Sequence, residues 1–146
     1  MVCIHPQLSI KFMLGGNARF NLEREKTCYS YHITRKHTTD NSKVWRVHVV
    51  RGNKDYYTGY IKVVGNKLKY RHNANWGDDD TDAGIYILTA FIRNRNNPNN
   101  DILMYHTGRC GCCGRLLTDK KAIERGFGHE CWSRMMKGGS KDGQDS

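Results

Sequence analysis

No stretch of this chain is apolar over anything near the ~20 residues that a membrane-spanning helix needs, and its mean hydropathy is −0.75. A membrane partner is therefore not expected. The opening MVCIHPQLSIKFML is too polar, and too short in its apolar part, for a secretory signal. The six cysteines are accordingly expected in a reducing cytoplasm, where thiols bind metal or stay free rather than pair. Internal repeats are lacking, as is low complexity outside the last residues. No Ser-His-Asp or Cys-His arrangement can be read from the order of the seven histidines, so an enzyme is not expected. Acidic residues are scarce in one half. Residues 1–76 hold fourteen Lys/Arg against four Asp/Glu, so the whole formal net charge of +10 falls there and residues 77–146 balance to zero. A polyanion would meet the N-terminal half first.

The cysteines that are present cluster. Four of the six, with two histidines, fall in His106–Cys131, HTGRCGCCGRLLTDKKAIERGFGHEC. Cys110 and Cys113 have the Cys-x-x-Cys spacing that lets two sulfurs on one turn reach a single ion, and Gly114 can take the positive φ that such a turn requires. Cys131 falls where a short helix can begin, and a helix N-terminus favours a thiolate. Three converging thiolates suit a soft, tetrahedral, redox-silent ion, by default one structural zinc. His106, at the end of the apolar run Ile102–Tyr105, is favoured as the fourth ligand over His129, and Cys112 is expected to point away. A redox dithiol would need a βαβ setting that the surrounding sequence does not offer.

The same residues resemble a small domain of unknown function found in bacteriophage and prophage proteins, with Cys110, Cys113, Gly114, Arg115, Leu117 and Thr118 followed by Ile123, Gly126, Gly128 and Cys131. His106 to Arg109 fits the His-x-Gly-Arg that precedes the first cysteine in many such proteins, and Gly16 to Phe20 resembles the opening of longer ones. Lys120, Ala122 and His129 stand where the family usually has proline, serine and proline. The resemblance implies zinc and a phage or prophage source, and no established activity. A family with proline at the position of His129 cannot ligate there, which favours His106.

Along the rest of the chain, period-two alternation predicts strands at residues 18–23, 29–34, 44–50 and 56–64 and a short one at 68–71, joined by tight turns into an antiparallel meander. Residues 1–14 show no period. Ile85, Leu88, Phe91 and Ile92 predict one helix over 82–94, capped by Asp80 or Thr81. A strand is expected at 101–105, then a helix that Thr118 caps and that ends near Gly126, and a last helix over 131–137. The expected fold class is α+β: a basic sheet plus helix over 1–105, a zinc-binding module over 106–137 and a disordered tail over 138–146.

Two surfaces are candidates for a partner. Arg46, Lys62, Lys67, Lys69 and Arg71 fall on strands that also carry aromatic residues, a pattern that holds nucleic acid by phosphate contact and stacking. A solvated outer face over an aromatic core is the plainer explanation of the same pattern. Arg115 and Arg125, beside the cysteines, can also hold phosphates. The acids Asp78, Asp79, Asp80 and Asp82 could bind magnesium, but acids before a helix more commonly serve its dipole. The expected function is a phage or prophage accessory protein that binds nucleic acid of a type the sequence does not specify. The alternative is a protein-binding inhibitor or modifier of a host nucleic-acid machine, such as a defence complex or polymerase.

Overall fold

The computed structural model describes residues 1–40, 42–73 and 79–141. The fold is α+β, an open antiparallel sheet of seven strands with four helices. Five strands form the expected meander: β2 (Asn17–Arg24), β3 (Thr27–Lys36), β4 (Lys43–Arg51), β5 (Lys54–Val64) and β6 (Lys67–His72). Two more extend it beyond β2. These are β1 (Val2–Cys3) and β7 (Leu103–His106), and the spatial order is β1-β7-β2-β3-β4-β5-β6.

Alternation sorts the meander into two faces, as its residue pattern demands. Ala18, Phe20, Leu22, Tyr31, Ile33, Trp45, Val47, Val49 and Ile61 are all buried on one face. Helix α1 (Pro6–Met13) and helix α2 (Asp79–Arg93) cover that face. The α1 ring of Phe12 meets Phe20 edge-on at 6.4 Å between centroids, and the Tyr31 hydroxyl donates to the Gly84 carbonyl of α2 at 2.7 Å. The expected single helix is α2, which begins three residues earlier than predicted, so Asp80 and Thr81 lie inside it rather than at its cap. Helix α1 was not expected. Pro6 opens it and the His5 side chain accepts from the Gln7 amide, which supplies one of the partners that free helix-end amides need.

The cysteine-rich segment adds α3 (Lys120–Arg125) and α4 (His129–Lys141). Asp119, rather than Thr118, caps α3 by accepting from the amides of Lys121 and Ala122, and Gly126 ends it in the left-handed region. Helix α4 starts two residues before Cys131 and continues through Lys141, past the start of the expected tail. Residues 142–146, and the side chains of Asp78, Asp79 and Asp80, lie outside the described residues. The core is continuous across residue 105: Cys110, Leu117, Ala122, Phe127 and Cys131 belong to the same buried cluster as the sheet and α1. No helix among the described residues is long and apolar enough to cross a membrane.

Candidate functional site

Residues 108–117 form a tight hairpin. Leu117 donates to the Gly108 carbonyl at 2.8 Å, Cys110 to Arg115 at 2.9 Å, and Gly114, with φ of 79°, to Cys110 at 2.9 Å. The turn brings Cys110 and Cys113 together, and α4 brings Cys131 to them. The three sulfurs all lie within 4.8 Å of one another, so they could hold a metal ion. Thiolates bound tetrahedrally to one zinc at about 2.3 Å have separations inside that limit. The amides of Cys112 and Gly128 each donate to the Cys110 sulfur at 3.4 Å. Burial pushes the Cys110 thiol up, but amide donors from Cys113, Gly128 and Cys112 outweigh it and leave the thiol below its ordinary value. Burial pushes Cys113 and Cys131 up, and the sulfurs beside them add to it. Such a set, soft and fed by backbone donors, fits a divalent ion such as zinc.

His106 is not part of this group, and here the structure corrects the expectation. The register pairs His106 with Phe20, which puts its ring on the core face of the sheet. It is fully buried, 5.6 Å from the Phe12 ring centroid. Its Nε2 donates to the Ile123 carbonyl at 2.6 Å and its Nδ1 accepts from the Gly108 amide at 2.9 Å. Both nitrogens are engaged, and burial lowers the tendency to protonate. The ring therefore pins the hairpin and α3 to the sheet. Replacing His106 with Ala should leave the metal content of the folded protein unchanged while lowering its stability by about 2–4 kcal/mol, from a cavity and two orphaned backbone groups. Metal analysis alongside a denaturant titration checks this; loss of metal from a folded variant would restore His106 as a ligand.

The three sulfurs open into a cavity of about 480 Å³ that Arg115, Asp119, His129, Glu130 and Arg134 also line. His129 sits in that wall with Nε2 3.2 Å from Asp119 and Nδ1 3.1 Å from an Arg125 nitrogen. Cys112 is half-buried, and its thiol is among the groups that raise Cys131. Neither residue joins the three-sulfur group. Arg134 donates to the Cys131 sulfur at 3.4 Å, compensating thiolate charge. Arg125 is less a free surface cation than expected. Its guanidinium lies 5.1 Å from the Trp132 ring centroid.

The second candidate is the face of the sheet that no helix among the described residues covers. Arg46, Lys62, Lys67, Lys69 and Arg71 all lie on it and are exposed. Cross-strand pairing sets Lys62 beside Lys69, and Tyr60 between Arg46 and Arg71. The bulge in β5 opposite Val47 and His48 adds something that strict alternation hides. Thr58 turns inward and is fully buried, donating to the Val47 carbonyl at 3.2 Å. Tyr57 and Tyr60, three apart, thereby share the outer face and are 38% and 37% exposed. Of the other aromatic residues on these strands, Trp45 is buried and Tyr70 packs against the core.

At the β2 side the outer face is internally satisfied. Arg19 pairs with Asp55 at 3.2 Å, and His32 links Asp55 and Asn17 at 2.7 Å each. At the β4–β6 side, Arg46, Lys62, Lys67, Lys69 and Arg71 enter no ion pair among the described residues. Arg115 and Arg125 are not part of this surface; they belong to the cysteine segment.

Comparison with known proteins agrees with the cysteine segment alone. Residues 105–136 match the model of a family of unknown function, DUF6011. No curated protein and no solved structure matches the chain.

Proposed function

We propose that this is a nucleic-acid-binding accessory protein of a bacteriophage or prophage, acting in the host cytoplasm, with one structural zinc and no catalytic activity of its own. The observation that carries the reading is the set of five cations, unpaired among the described residues, on the outer β4–β6 surface, flanking two exposed tyrosines. Unpaired cations at cross-strand spacing repel one another, so the arrangement costs stability until an anion arrives. A phosphate backbone supplies regularly spaced anions and gains from counterion release. Cys110, Cys113 and Cys131 would hold the zinc, which on this reading ties the hairpin to α4. The phage source rests on the resemblance of the cysteine motif.

Replacing Lys67, Lys69 and Arg71 together with Gln should weaken binding of labelled oligonucleotides to a similar degree whatever their sequence. It should also flatten the dependence of log K on log salt by about one unit for each phosphate that the variant no longer neutralises. Fluorescence anisotropy over a salt series reads both. An unchanged slope, with binding abolished instead in a variant carrying Arg115→Gln and Arg125→Gln, would move the interface to the cysteine segment. No binding of any oligonucleotide at low salt would favour the protein-binding alternative, in which the same cations meet an acidic surface of a host nucleic-acid machine.

A further inference from the structure

The outer face is not flat at its β3–β4 end. The connection between those strands, through residues 37–40 and Ser42, stands beside it and encloses an open cavity of about 580 Å³. That is within the ~300–1,000 Å³ range of small-ligand sites. Lys36, Arg46 and Lys62 line it, together with Tyr57 and Tyr60. The connection is held by its own hydrogen bonds. Thr38 donates to the Ser42 carbonyl at 2.9 Å, and Ser42 donates to Asp40 through its hydroxyl at 2.7 Å and its amide at 3.1 Å. These bonds keep Asp40 ionised, below the usual carboxylate range, and turn one of its oxygens into the loop. Lys36, Arg46 and Lys62 outnumber that single carboxylate in the wall.

We infer that this cavity seats one unstacked nucleotide of a single strand, its base against Tyr60 and its phosphates along Lys36, Lys62 and Lys69. The inference rests on the nucleic-acid reading above and narrows it to single-stranded partners. In a duplex the base faces are already stacked on one another, and only edges and backbone are offered to a protein. An exposed tyrosine with an arginine on each side across the strands is matched to the face of a free base and is wasted on an edge.

The test uses the intact protein with an oligo-dT carrying one central 2-aminopurine, whose fluorescence falls when its base stacks, and a labelled duplex of the same length. The unmodified protein should change the 2-aminopurine fluorescence and prefer the single strand. Tyr60→Ala should abolish that change and weaken single-strand binding about tenfold, leaving duplex binding alone, whereas Tyr60→Phe keeps the ring and should behave as the unmodified protein. If Tyr60→Ala leaves affinity and fluorescence unchanged while the Lys67, Lys69, Arg71 variant still weakens binding, the seat is wrong and the nucleic-acid reading stands. Duplex bound as tightly as single strand overturns the seat in the same way. Binding to neither at low salt overturns both.

Discussion

Replacing Cys110, Cys113 or Cys131 with Ser should each take bound zinc from one per chain to none and unfold the segment from the hairpin to α4, while Cys112→Ser keeps its metal. The three sulfurs gather from two places, a hairpin turn and the first turn of α4, and no disulfide joins them. Without an ion, converging thiolates would repel and thiols would fill the space poorly. With one, the closure of the intervening chain is fixed. Structural zinc contributes an apparent ~10–16 kcal/mol to folding in small peptides, which is as large as the typical stability of a whole domain, about 5–15 kcal/mol. Some of that is redundant here because α3 and the hairpin also pack on the sheet. Local unfolding of residues 106–137 is therefore expected before global loss of the meander. Elemental analysis of protein purified without chelator, with hydrogen exchange resolved along the chain, reads both effects. Absence of metal from the unmodified protein, or full metal in all three serine variants, would refute the assignment.

The fold was most legible where one face of a strand is buried and the other wet. Trp45, Val47 and Val49 alternate with Arg46 and His48 because the sheet has one covered face, and a period of two survives into the three-dimensional structure. The parts that sequence did not reveal have specific physical causes. Helix α1 is eight residues long, with Ser9 buried among its apolar positions, so no stripe stands out. Strand β7 pairs with β2 some eighty residues earlier, and such pairings leave no local trace. That pairing decides the fate of His106: proximity to the knuckle in sequence suggested a ligand, whereas register turned the ring into the core. The Tyr57 and Tyr60 pair was hidden for the converse reason. A bulge breaks the alternation on which a period-two pattern depends, and only Gly59, a glycine inside a strand pattern, signals it. Of the candidate site, Cys110 and Cys113 could be read from spacing alone, because two sulfurs on one turn are a local geometry. The division of the outer face into a β2 side held by ion pairs and a β4–β6 side whose Arg46, Lys62, Lys67, Lys69 and Arg71 enter none among the described residues depends on Asp55 reaching across to Arg19 and His32, which only tertiary structure shows.

Phe12→Ala should destabilise the whole protein by about 3–5 kcal/mol, a drop in Tm on the order of 10 °C for a chain of this size, and should also loosen the metal centre. Phe12 joins the two. Its ring is fully buried, with Phe20 of the sheet on one side and Phe127, 5.7 Å between centroids, on the other. Two glycines of the cysteine segment close over it: a Cβ added at Gly111 or at Gly126 would stand 2.7 Å from the same ring carbon. Gly126 also has a φ of 82°, which a side chain would strain by roughly 1–2 kcal/mol. The backbone around the sulfurs is thus shaped to the face of an aromatic ring on α1, and the Gly111 amide is held by the Gly126 carbonyl at 2.9 Å. Removing the ring leaves a cavity directly behind the Cys110 turn. The amide donors on the Cys110 sulfur then lose their support, so zinc should transfer to a competing chelator faster than from the unmodified protein. Gly126→Ala should act in the same direction through overpacking, and in a double variant with Phe12→Leu part of its cost should disappear, because the smaller side chain relieves the close approach but not the φ strain. Denaturant titrations of the four proteins give the coupling. Strict additivity, or a Phe12→Ala protein that unfolds globally yet yields zinc to the chelator no faster while folded, would show that the ring supports the sheet and not the metal centre.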